Sequence, residues 1–83
     1  MVSAQSQDIA RRGGQLYEER LRAVLEPTHR GQFIAIEPDS GDHFLGTTNS
    51  EVVAAARKAY PDRLSLVLRI GYPATYYLGN SLT

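Results

Sequence analysis

Cysteine and tryptophan are both absent from the 83 residues. Without cysteine there is no disulfide framework, no thiolate nucleophile and no cysteine-ligated zinc or iron–sulfur centre. A small domain without disulfides fits a reducing compartment, so a cytoplasmic location is expected. Net charge is missing too: nine Lys and Arg balance nine Asp and Glu. A nucleic-acid module needs a basic stripe to neutralise phosphates. Here the arginines are spread, and Arg11–Arg12 are the only two in adjacent positions. Nucleic acid is therefore not an expected partner. No apolar run approaches the roughly 18–20 residues of a membrane span, and the polar stretch from Met1 to Gln15 does not resemble a signal peptide. No membrane partner is expected.

What the chain does contain is enough for one small core. Leu, Ile, Val and Phe make up 20 of the 83 residues, more than a disordered chain carries. Domains this short are marginal alone, so self-association or a bound partner is expected.

Residues 1–14 are mostly polar and read as a flexible tail, with Gly13-Gly14 as a breaker before the first helix. A single domain is expected over 15–79, with 80–83 as a C-terminal tail. From Gln15 to Glu26, the residues Leu16, Tyr17, Leu21, Val24 and Leu25 lie on one face of a 3.6-residue period. Pro27 is expected to end that helix. Phe33–Glu37 is apolar on both sides and reads as a central strand. Pro38-Asp39-Ser40-Gly41 carries turn chemistry, with positive φ expected at Gly41, and Asp42–Gly46 returns from it as a hairpin partner.

Thr48-Asn49-Ser50-Glu51 fits a capping box, and the helix behind it is expected to run to about Tyr60. Leu64, Leu66, Leu68 and Ile70 alternate with Ser65, Val67 and Arg69 in the clearest strand, and Leu66 and Leu68 should face the helices. Thr75–Leu78 is a further short strand. The predicted architecture is α+β, in the order α-β-β-α-β. Its sheet is mainly antiparallel with strands ordered 2-1-3, three-stranded or four-stranded if the last segment joins. Both helices are expected on one face.

Candidate chemistry is sparse. His29 and His43 are the only histidines, and the polar residues around the hairpin tip are explained by turn formation, so no metal site is expected. Asp39-Ser40-Gly41 matches the triplet of aspartic proteases, but Pro38 and Asp42 frame it as a turn. No Gly-x-Ser-x-Gly elbow or phosphate-binding glycine loop occurs. No catalytic residue and no cofactor is assigned, and the chain is not expected to be an enzyme.

The unusual segment is Arg69-Ile70-Gly71-Tyr72-Pro73-Ala74-Thr75-Tyr76-Tyr77, where three of five tyrosines gather beside an arginine. Tyr and Arg supply contact area with a polar handle, so Arg69, Tyr72 and Tyr76 are the candidate interaction surface. Arg69 is expected to point away from the helices. The strings Gly31-Gln32-Phe33-Ile34-Ala35-Ile36-Glu37-Pro38-Asp39-Ser40-Gly41-Asp42, Ala55-Ala56-Arg57-Lys58-Ala59-Tyr60-Pro61 and Arg69-Ile70-Gly71-Tyr72-Pro73-Ala74 carry a resemblance. Over about residues 30–78 the chain resembles a family of short uncharacterised bacterial proteins, often cyanobacterial. Their genes often sit beside one for a retropepsin-like aspartic protease. The resemblance implies a bacterial cytoplasmic α+β protein and an antitoxin-type partner of a neighbouring gene product, with no catalytic residue carried over. The expected function is a non-enzymatic protein–protein interaction module, its partner a second copy in a homodimer or that neighbouring product. The alternative is a small-molecule or peptide binder with a pocket near Tyr72 and Tyr76.

Overall fold

The computed structural model describes residues 4–72 and the backbone of residues 77–79. The element order is α1 (Ala4–Leu16), a π-helical turn (Tyr17–Leu21), α2 (Arg22–His29), β1 (Phe33–Glu37), β2 (Asp42–Gly46), α3 (Asn49–Ala59), β3 (Ser65–Arg69) and β4 (Tyr77–Gly79). The strands form one sheet in the order β2-β1-β3-β4, and every pair is antiparallel. The fold is α+β with the predicted 2-1-3 arrangement, and the last strand extends it to four. Of the predicted segment Thr75–Leu78, residues 75 and 76 lie outside the described residues.

The first helix begins earlier than expected. Residues from Ala4 are helical rather than a flexible tail: Ile9 is buried, and Gly13 is buried against Leu66 of the sheet. Gly13-Gly14 does not break the helix. Gly13 faces Leu66 so closely that a Cβ there would lie 2.9 Å from the Leu66 Cβ. The missing side chain lets helix and sheet approach, which offsets the roughly 1 kcal/mol that glycine costs in a helix.

The inward residues Ile9, Gly13, Tyr17, Leu21 and Leu25 recur every four positions. An α-helical turn takes 3.6, so over those four steps the stripe drifts by about 1.6 residues. The π turn at Tyr17–Leu21 absorbs about one residue and returns Leu25 to the sheet. Val24, expected on the apolar face, is 67% exposed as a result. Pro27 lies inside α2 and the helix continues to His29. Proline removes one backbone donor, but Leu25 is anchored in the core and the helix needs only two further residues.

The two helical units cover opposite faces of the sheet, not one face as the sequence predicts. Tyr17 and Leu25 pack with Ile34, Ile36, Leu66, Leu68 and Ile70 on one side. Val52 and Ala56 of α3 pack with Ala35 and Val67 on the other. The cause is the double-sided character of β1 and β3: Ile34 and Ile36 point one way, Ala35 the other, and each apolar face requires a cover. Helix α3 starts as predicted. Thr48 accepts from the Glu51 N–H at 3.1 Å, and the Glu51 carboxylate accepts from the Thr48 N–H at 3.2 Å. These bonds, with those from Thr47, hold the Glu51 carboxyl below its usual range.

Candidate functional site

The two ends of β1 carry the polar chemistry. At its C-terminal end Glu37 is fully buried. The hairpin turn closes over it. Its carboxylate accepts from the backbone N–H of Asp39 at 2.9 Å and of Ser40 at 2.8 Å, and from Arg63 Nη1 at 3.0 Å. The Glu37 carbonyl accepts from the Gly41 N–H at 2.9 Å. Gly41 has φ of +80°, as its place in the turn requires. Burial would raise the Glu37 carboxyl pKa; hydrogen bonds from Ser40, the turn backbone and Arg63 outweigh it and hold the group below its usual range.

Asp39 and Asp42 at this end are also engaged within the fold. Asp39 pairs with Arg12 at 2.9 Å, and Arg12 pairs with Asp8 at 2.8 Å. Asp42 accepts from the Tyr60 hydroxyl. The Arg63 guanidinium also lies 5.1 Å from the Tyr60 ring centroid. His43 is exposed on β2, and His29 is bonded to Thr28. Among the described residues, no three His, Asp or Glu side chains gather as a metal site.

At the other end of β1 the arrangement differs. Gly31, with φ of +91°, forms a bulge: its N–H donates to the Ile70 carbonyl, and the Ile70 N–H donates to the Gln32 carbonyl. The bulge aims the Gly31 carbonyl at Arg69 Nε, 3.1 Å away. A tight turn follows β3, closed by the Tyr72 N–H donating to the Arg69 carbonyl, with Gly71 at φ of +84°. Arg30 braces this turn by donating to the Gly71 carbonyl at 2.9 Å.

That geometry brings the side chains of Arg69 and Tyr72 together. The guanidinium carbon sits 4.2 Å from the Tyr72 ring centroid and 5.6 Å from that of Phe33. Arg69 is exposed and Tyr72 is 51% exposed. Among the described residues, no carboxylate lies within ion-pair distance of Arg69. Two of the three predicted surface residues therefore meet; Tyr76 lies outside the described residues. The expected direction of Arg69 is corrected by the register. It pairs with Phe33, on the face that α3 covers, and it reaches solvent because it stands at the end of the strand.

The sequence pattern alone gives Glu37 no functional role. The available signal was a lone acidic residue at a strand end, immediately before Pro-Asp-Ser-Gly. No family model matches the chain, and neither the curated proteins nor the solved structures contain a match to it.

Proposed function

We propose that this chain is a non-enzymatic protein-interaction module, with the Arg69–Tyr72 stack as its anchor. The observation that carries this reading is an exposed guanidinium fixed by one bond to Gly31 and stacked on an exposed tyrosine, with no carboxylate partner among the described residues. Arg and Tyr dominate binding energetics, and a pair already held in place loses little freedom on association. The unused guanidinium donors fit a carboxylate, and the rings fit an apolar neighbour. The partner is accordingly a protein segment with an acidic residue beside an apolar one. The family resemblance favours a cytoplasmic partner encoded by a neighbouring gene.

The test is selection of a random peptide library on the immobilised protein. Enriched peptides should carry Asp or Glu next to an apolar residue. Arg69→Gln and Tyr72→Ala should each weaken the best peptide by about tenfold or more while the circular dichroism stays unchanged. Peptides that bind both variants as well as the parent would refute the assignment.

A further inference from the structure

We infer that β2 is a self-pairing edge and that two copies of this chain join through it into one continuous eight-stranded sheet. This surface is separate from the Arg69–Tyr72 anchor. Among the described residues, β2 ends the sheet, with β1 on one side and no strand on the other. The phase of its backbone follows from a bond at the far side of β1. The Ile70 N–H donates to the Gln32 carbonyl, so even-numbered residues of β1 turn their backbone groups toward β3. Odd-numbered residues then face β2, where their partners are Asp42, Phe44 and Gly46. The N–H and C=O groups of His43 and Leu45 are left pointing outward.

Two such edges match under a two-fold axis through Phe44. His43 of one copy then stands opposite Leu45 of the other, and the two His43–Leu45 pairs are hydrogen-bonded pairs with four backbone bonds between them. Asp42 falls opposite Gly46, so no like charges meet. The side chains of His43 and Leu45 lie on the face with Ile34 and Ile36, and both are exposed, Leu45 at 39%. The helices leave that part of the face open: α3 packs on β2 from the opposite side, and α1 packs on β3 and β1. Pairing covers Leu45 with its partner's His43. The strand carries no Lys or Pro, the usual guards of a free edge. Zero net charge adds no repulsion between copies.

The experiment is sedimentation of the full chain from about 10 µM to about 1 mM, since a five-residue edge makes a small, weak interface. The parent should shift from monomer to dimer with a midpoint on the order of 100 µM. His43→Lys combined with Leu45→Lys sets lysines opposite each other twice and should weaken association about tenfold. His43→Glu with Leu45→Lys sets opposite charges in the same places and should restore it. Both positions are exposed, so the fold should persist in each variant by circular dichroism. A parent that stays monomeric throughout, a double-lysine variant that associates unchanged, or a charge pair that fails to restore dimerisation would each overturn the pairing. Peptide selection on the Arg69 surface is read separately, so either proposal can fail without the other.

Discussion

Arg63 and Arg69 stand at opposite ends of β1, and the two arginines are used differently. At the Glu37 end, Arg63 reaches a carboxylate that is wholly buried and already held by two backbone N–H groups. At the Phe33 end, Arg69 has a carbonyl and two aromatic rings, but no carboxylate among the described residues. Charge at the first end is neutralised inside the fold, and its worth is stability. Charge at the second end is preorganised, and under the proposed function it is left for a partner. The same side chain, at opposite ends of one strand, thus separates a structural site from the proposed binding site.

The largest expected effect comes from removing the buried carboxylate. Glu37→Ala leaves two backbone donors of the turn, and Arg63, without their acceptor. It should cost about 2–4 kcal/mol, read as a drop in the urea midpoint. A cost under about 0.5 kcal/mol would mean that water replaces the carboxylate, and the contrast between the two ends would collapse.

Next are the left-handed glycines that shape each end. Gly41→Ala and Gly71→Ala should each cost about 1–2 kcal/mol from backbone strain. They differ beyond that. A Cβ on Gly41 meets nothing within 4 Å, whereas one on Gly71 would lie 2.8 Å from Arg30 Cγ. Gly71→Ala should therefore also displace the turn and weaken the selected peptide, while Gly41→Ala should leave peptide binding intact.

Acid sharpens the same contrast with a smaller effect. The folded state holds the Glu37 carboxyl below its usual range. A depressed carboxyl pKa contributes stability that is complete above the unfolded value of about 4.3 and fades as pH falls through the folded one. Urea midpoints should thus fall between neutral pH and about pH 3, and Glu37→Gln should flatten that slope. An unchanged slope in the variant would assign acid sensitivity elsewhere, for example to Asp8 or Glu51, both also held below their usual range.

Much of the fold was legible in the pattern of side chains. The hairpin from Phe33 to Gly46, the positive φ of Gly41, the capping box at Thr48 and the alternation through Leu66 and Leu68 are local, and each has one physical cause. The helix from Ala4 was not legible. Its stripe contains a glycine and repeats every four residues, which matches no single helical period until a π turn resets it. The placement of the two helical units on opposite faces was legible in principle. A strand apolar on both sides, such as Phe33–Glu37, needs cover on both. At the candidate site, composition singled out Arg69 and Tyr72, but the carbonyl that fixes Arg69 comes from a bulge at Gly31, 38 positions away. Arg63 and Glu37 are separated by 26 positions, and only the sheet register brings them together.

The division of labour between the two arginines is tested most directly by one paired measurement. Arg63→Gln and Arg69→Gln are compared by thermal melting and by affinity for the peptide selected on the parent. Arg63→Gln should lower the melting temperature by several degrees and leave peptide affinity unchanged. Arg69→Gln should leave melting within about 0.5 kcal/mol of the parent and weaken the peptide about tenfold or more. Equal effects of the two variants on stability, or peptide binding that survives Arg69→Gln, would contradict the account.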